Sequence, residues 1–596
     1  MENKKHIYPY AIIGNCAYLA YVNKNTNIDW MCWPKFDSSF IFGRMLDKNK
    51  GGEFSVLPDD DGDFKSKQYY IENTNVVRTE IETTDGTYRV TDYAPRFYQN
   101  DRYYKPLMMI RKVEPLSGTP RIKVKCNPVG NYGEIVPEAH RGSNHIEYLG
   151  LEQNLRLTTN ISLTYIEDGR GFVLNEAKYM VLTYGAPLEA SIERTSERFL
   201  NETILYWRGW VKSTSIGNFY QKVVIRSALA LKIHQYEDTG AIIAAGTTSL
   251  PEAPGSTRNW DYRYCWMRDT FYTLNAFNNI GHFEEVEKYF QYIANVSVQE
   301  NKRFQPLYSI SGEKSLVEHI LNLEGYMGNQ PVRVGNQAYE HIQNDVYGQV
   351  LVSLLPLYID NRFIIDERAG SHKLIIKMLD LIDKTLDEPD AGLWEFRTLA
   401  QEHCYTNLFQ WAGASAALKI GKHLKDDQII NKAETLVKKA KDKIEQCWDK
   451  ERGVYTQAIG SPNLDASTLQ LLMMNYIPHG SDEAKSHLQN LEKELGADSG
   501  LFYRYKHADD FGTPETTFLI TAFWYVEALT CVGRLDEAIK IFETLISFEN
   551  HVGLLSEDVD AETGSQWGNF PQAYSHVGLI NAANRISRKL DKPSFL

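Results

Sequence analysis

The sequence predicts a two-part fold: an antiparallel β-sandwich over residues 1–195, then, after a helical linker at 196–219, a closed toroid of paired α-helices over 220–596. Three observations carry that expectation. Before about residue 190, short runs alternate apolar and polar residues between turn-forming dipeptides. From Tyr220 onward the apolar period is helical, giving twelve candidate helices at about 31 residues per helix and loop. No strand run of comparable strength separates those helices, and no fixed-period repeat marks a solenoid.

Taken in order, residues 76–92 (VVRTEIETTDGTYRVTD) alternate on either side of Asp85-Gly86, a dipeptide that supplies the positive φ of a two-residue hairpin turn. Alternation returns at 121–126, 155–165 and 179–184, which completes a set of short antiparallel strands. The acidic run 59–63 (DDDGD) lacks the spacing of a calcium loop and reads as a solvated turn. Residues 197–212 have helical spacing and link the halves. The twelve helices are expected at 221–234, 270–279, 283–294, 345–358, 371–385, 408–420, 427–447, 466–474, 483–494, 516–532, 535–547 and 574–583. Loops rich in Trp, Tyr, Gly and acids fall at 258–269, 325–345, 390–397, 503–517 and 554–575, and on one face of a toroid they would converge into a cleft.

Composition narrows the function. Of the 596 residues, 43% are apolar and 24% charged, close to soluble globular averages, which excludes wholesale disorder. A net charge of −13 makes phosphate backbones and anionic lipid poor partners, so neither nucleic acid nor a membrane is expected. The seven cysteines are scattered without a C-x-x-C pair, which points to a reducing compartment and to no metal site. With no apparent leader and no long apolar stretch, the expected location is the cytoplasm. Aromatic residues reach 12%, with 36 Tyr, 25 Phe and 11 Trp, a supply of flat faces that calls for a core or a planar ligand to cover them.

Two carboxyls stand out. Glu395 follows Trp394 in PDAGLWEFR, and a carboxyl beside an indole loses solvation, which raises its pKa and suits it to donate a proton. Glu557 opens an acidic run with Asp558, Asp560 and Glu562; such a run is either a base activating water or a solvated turn. Two acids in separate Trp-containing loops fit glycoside hydrolysis, which needs an acid and a base across a sugar ring. Walker A, G-x-G-x-x-G, H-E-x-x-H and G-x-S-x-G patterns are absent from the sequence, and no cofactor is expected.

The segment NWDYRYCWMRD (259–269) resembles the signature of glycoside hydrolase family 15, the glucoamylases and their bacterial relatives, including trehalases. The likeness continues in order through VGNQAYEHIQNDVYG (334–348), GLWEFR (392–397), TTFLITAFWYVEAL (516–529) and SEDVDAETGSQWGNFPQAYSHVGLI (556–580). IGNCAYLAYVNKNTNIDWMCWPKFDS (13–38) resembles the start of the β-sandwich domain of bacterial members, so the likeness covers nearly the whole chain. It implies an (α/α)6 barrel, a toroid of six hairpins, and hydrolysis with inversion, with Glu395 as general acid and Glu557 as general base about 6.5–9.5 Å apart. It further implies that Arg268 and Asp269 hold hydroxyls of the terminal glucose, with Asp345 and Arg504 completing that subsite. Trp266 and Trp394 are candidate stacking faces. Gly392 departs from the fungal members, which carry an acid there.

The leading expectation is an exo-acting α-glucosidase of glucoamylase type, releasing β-glucose from α-1,4-linked oligosaccharides, with α-1,6 linkages as further candidates. The alternative is an α,α-trehalase, whose motifs are the same; a non-catalytic carbohydrate-binding protein is the third reading. No starch-binding module is expected after the last helix, which favours small sugars over starch granules.

Overall fold

Two β-layers built from the N-terminal residues pack on a ring of helices in a computed structural model that describes residues 5–59, 62–188, 190–300, 303–363 and 371–590. One layer is an eight-stranded sheet running in spatial order Glu138–Arg141, His145–Leu149, Leu155–Thr159, Lys178–Tyr184, Met108–Gly118, Gly86–Tyr93, Val77–Thr83 and Lys65–Tyr70. The other combines a four-stranded meander (Tyr10–Gly14, Leu19–Asn23, Ile28–Cys32, Phe40–Phe42) with a three-stranded sheet (Phe172–Val173, Arg121–Asn127, Glu53–Pro58). The pairings in these sheets are antiparallel. Period-2 burial in Val77–Thr83 shows why the strands form, since alternate residues face the interlayer core. Polar bonds pin the layers together: buried Arg111 pairs with Asp92 at 2.7 Å and donates across to Phe54 O at 2.8 Å, and Tyr70 OH donates to Ile12 O at 2.8 Å.

Two expected details shift. The hairpin places Thr83 opposite Gly86, so the turn residues are Thr84 and Asp85 and Gly86 opens the second strand with φ +149°. The run 155–165 is a strand only to Thr159, and a short helix, α1 (Leu163–Glu167), takes the rest. Residues 60 and 61 of the acidic turn lie outside the described residues, and its Asp59 pairs with Arg121 at 3.0 Å.

Helix α2 (Ile192–Lys212) leads from the sheets into, among the described residues, twelve further helices: α3 (Gln221–Ile233), α4 (Asp269–Asn279), α5 (Phe283–Gln299), α6 (Asp345–Ile359), α7 (Ser371–Thr385), α8 (Cys404–Leu424), α9 (Asp427–Glu445), α10 (Gln470–Met473), α11 (Asp482–Leu495), α12 (Leu519–Cys531), α13 (Leu535–Ile546) and α14 (Ala573–Leu590). α4, α6 and α8 pack in sequence, the 3-10 turn Ala466–Leu469 and α10 carry the ring on to α12 and α14, and α14 packs back on α4, which closes an inner ring; the odd-numbered helices lie outside it. The sequence decides which is which. α12 (LITAFWYVEALTC) is buried at every position, whereas α9 buries a single stripe, Ile429, Ala433, Leu436, Ala440 and Ile444, at helical spacing. This is the (α/α)6 barrel that the motifs imply. The helix expected at 466–474 is split into a 3-10 turn, Ala466–Leu469, and α10, because Asp465 caps the tighter turn through Ser467 N at 2.7 Å. Among the described residues no helix is long and apolar enough to cross a membrane.

The two parts interlock beside the barrel's loop face. Tyr8 OH donates to Gly568 O at 2.8 Å, Trp30 Nε1 to Gly246 O at 2.7 Å, and Arg263 Nη1 to Ser38 O at 2.7 Å.

Candidate active site

All five aromatic loops converge. They form two adjoining chambers. Tyr262, Trp394, Glu395 and Arg504 line both and so mark their junction. Trp266, Arg268, Asp269 and Tyr574 belong to the inner chamber; Glu252, Trp260, His341 and Phe511 belong to the outer one.

Glu395 rides on a tightly built loop. Asp390 anchors it, accepting from Asn344 N at 2.8 Å, Gly392 N at 3.0 Å and Thr406 Oγ1 at 2.9 Å. Burial lifts the Asp390 carboxyl to about 7. Gly392 has φ +66°, and a Cβ there would come within 2.6 Å of the His403 ring, so both backbone and space require glycine. Glu395 itself adopts φ +63°, a left-handed conformation that costs a non-glycine residue on the order of 1–3 kcal/mol and persists where surroundings impose it. Two donors converge on its Oε1: Trp266 Nε1 at 2.6 Å and Arg268 Nη1 at 3.2 Å. The indole bonded to this carboxyl is therefore that of Trp266, not of the adjacent Trp394, whose N–H turns away to Asp465 Oδ2 at 2.8 Å. Glu395 remains 21% exposed at the chamber junction.

Glu557 is held differently. It precedes the first strand of a ribbon, Asp558–Val559 and Gln566–Trp567, that pairs with Thr517–Phe518. Its Oε1 accepts from Tyr262 OH at 2.8 Å and its Oε2 from Asn569 N at 2.9 Å. Gly568 passes so close that a Cβ would meet the Glu557 side chain at 2.6 Å, and its φ is +74°. At 2% exposure Glu557 is not on either chamber wall and reaches them through Tyr262, which stands edge-on to Trp266 with centroids 5.3 Å apart. One loop thus touches both carboxyls, through residues four apart. Burial pushes the Glu557 carboxyl up to about 8, the Glu252 carboxylate adds to the rise, and Asn569 N–H, Tyr262 OH and Arg504 hold it back. The acidic run divides: Glu557 and Asp558 are buried, while Asp560 stabilises a turn through Thr563 N at 2.7 Å and Glu562 is exposed.

Arg268 spans to Leu393 O at 2.8 Å and stands 3.5 Å from Asp269, the first residue of α4. Burial raises the Asp269 carboxyl to about 6, with Arg268 opposing. Asp345 opens α6 behind the wall: it is fully buried, lines neither chamber, and accepts from Gln349 Nε2 at 2.8 Å. Arg504 bonds Glu252 and stands 3.9 Å from Asp558. Sequence reasoning misses Glu252 and Tyr262. The first is a lone acid in a Pro/Gly turn with no spacing to mark it, and the second lies inside a motif whose Trp, Arg and Asp carry the signal.

Two carboxyls in contrasting settings, beside an Arg–Asp pair in a closed α-helical toroid, define a glycoside hydrolase site. The family model for glycosyl hydrolases family 15 matches residues 218–584, and the chain belongs to that family. A second model, the trehalase-like N-terminal domain, matches residues 2–170. Among curated relatives, a trehalase of Thermoplasma volcanium is 34% identical over 606 residues, covering 99% of this chain and 95% of that protein. A trehalase of Thermoplasma acidophilum is 34% identical over 95% of this chain and 97% of its own length, and one of Mycobacterium tuberculosis is 29% identical over 97% and 89%. Among solved structures, a bacterial glucoamylase complexed with acarbose superimposes with a TM-score of 0.69, covering 99% of this chain and 96% of that one; at 16% identity it speaks to the fold.

Proposed function

We propose that this glycoside hydrolase is an α,α-trehalase, which replaces the glucoamylase-type exo-glucosidase as the leading reading. The observation that carries it is that relatives named as trehalases align over nearly their full lengths and this chain's, N-terminal domain included. Two chambers meeting at one carboxyl also suit a substrate of two units joined at the bond to be broken. We place the sandwich at 1–195, the linker at 196–219 and the catalytic barrel at 220–596.

In this reading one glucose fills the inner chamber, its hydroxyls bound by Arg268 and Asp269, with Trp266 and Trp394 against its faces and Asp345 setting the field on Arg268. The second glucose lies in the outer chamber, with Arg504 at the junction. Glu395 gives its proton to the bridging oxygen as the bond to the inner anomeric carbon breaks. Glu557, ionised, draws a proton from the water that attacks that carbon from the opposite face by way of the Tyr262 hydroxyl, which donates to it and lines both chambers. The products are one β-glucose and one α-glucose. Trp266 and Arg268 both donate to Glu395 Oε1 and so fix the direction of its carboxyl.

The test is initial-rate turnover of trehalose, maltose, isomaltose and soluble starch in parallel. Trehalose should exceed the others in kcat/KM by at least about tenfold; preference for maltose or starch would restore the glucoamylase reading.

A further inference from the structure

Glu252 is fixed from two loops: its N–H donates to Arg258 O at 3.0 Å, and Thr516 Oγ1 donates to its carbonyl oxygen at 2.9 Å. The residue is 2% exposed, yet it lies on the wall of the outer chamber and not of the inner one. One carboxylate oxygen, Oε2, accepts from Arg504 and stands 3.8 Å from Arg258 Nη1. The other, Oε1, is buried and has no hydrogen-bond donor among the described residues. A buried acceptor without a donor is unfavourable, and native proteins rarely leave one so. Sugar hydroxyls are donors of the right kind. The neighbouring Arg504 reaches the junction where Glu395 stands, so a hydroxyl bonded to Oε1 belongs to the sugar on the far side of the bond that breaks.

We propose that Glu252 is a substrate-binding residue that accepts a hydroxyl of the departing glucose through Oε1 and thereby recognises the leaving group as a sugar. This rests on the trehalase reading, in which the two chambers each hold one glucose. Gln at this position keeps a carbonyl oxygen for Arg504 but turns Oε1 into a donor, which cannot accept from a hydroxyl.

The experiment compares wild type and Glu252→Gln on trehalose and on α-D-glucosyl fluoride, whose leaving group is fluoride and makes no use of the outer chamber. A hydrogen bond to an ionised group is worth about ten- to a hundredfold, so kcat/KM on trehalose should fall by that factor. Because the Glu252 charge also helps to raise the Glu557 carboxyl, both substrates are read above pH 8; there the loss on trehalose should exceed any change on α-D-glucosyl fluoride by at least about tenfold, and turnover of the fluoride shows that the variant is folded. Equal losses on both substrates, or no loss on trehalose, would overturn the proposal. Should the variant be inactive on both, Glu252→Asp keeps the charge beside Arg504 while withdrawing the oxygen, and the same split is expected; an even loss there overturns it too. Wild-type enzyme that hydrolyses the fluoride but not trehalose would count against the trehalase reading alone, and the ratio is then read on the disaccharide it does cleave.

Discussion

At the seam between sheets and barrel, Glu237 is held by Arg96 at 2.5 Å and Lys288 at 2.6 Å, and Glu285 by Lys232 at 3.0 Å with Trp210 Nε1 also at 3.0 Å. In the cleft, Glu252, Glu557 and Asp558 all face the guanidinium of Arg504, and Arg258 reaches Glu252 alone among these three. Burial disfavours the charged carboxylate in both places. At the seam the cations outweigh it: Arg96 by hydrogen bond and charge, with Lys232 and Lys288, holds Glu237 well below the usual range, and Lys232 with His282 brings Glu285 down to about 2. In the cleft burial wins, taking Glu557 up to about 8 and Asp558 well above its ordinary value. The same residue type at the same depth therefore holds the structure together or holds a proton, according to how many cations face it.

The largest expected effect breaks the cleft half of this contrast. Glu395→Gln and Glu557→Gln should each lower kcat by about 10²–10⁴, with thermal unfolding of Glu557→Gln no earlier than wild type, because a raised carboxyl does not support the fold at neutral pH. Near-wild-type turnover in either variant would remove that residue from its role. Next, Glu237→Gln leaves the Arg96 guanidinium, whose side chain is 0% exposed, without its carboxylate; the expected cost is about 3–5 kcal/mol in denaturant unfolding, with kcat of the folded enzyme unchanged. A variant as stable as wild type would show that the seam pair contributes little.

Cleft and seam also part in their response to pH. Glu557 must be ionised to act as base and its folded pKa is raised, so kcat/KM should climb with pH through about 8 and level off only above it. Seam carboxyls have depressed folded values, so their stabilisation is present above the unfolded carboxylate range, near about 4.3, and is lost only as pH falls toward the folded value, about 2 for Glu285. Between pH 8 and 6, activity should therefore fall with no change in circular dichroism. A flat rate across that interval would contradict the assignment of Glu557, and a parallel loss of structure would contradict that of the seam.

Periodicity makes the barrel legible in the amino-acid sequence: eleven of the twelve expected helices appear as single α-helices, and the twelfth is divided where Asp465 tightens its first turn. Local signals fail where distant residues decide. The 155–165 run changes from strand to helix at Leu163, whose side chain is buried in the core, and alternation alone does not show that. The site is legible as loops and motif residues, and the structure gathers Arg268, Asp269, Trp266, Trp394, Glu395 and Arg504 on chamber walls. Side-chain direction is not legible: adjacency to Glu395 suggests Trp394 as its indole, yet the left-handed backbone at Glu395 points the carboxyl to Trp266 from another loop. Asp345 resembles a sugar ligand but lies beneath the wall, and Glu252 resembles nothing, because its meaning comes from Arg504 some 250 positions away.

Inverting hydrolysis of trehalose by Glu395 and Glu557 leaves a stereochemical mark on its products. ¹H NMR of the first glucose released, read before mutarotation, tests it most directly. Inversion yields α- and β-glucose in equal amounts from the first time point; α-glucose alone would contradict it.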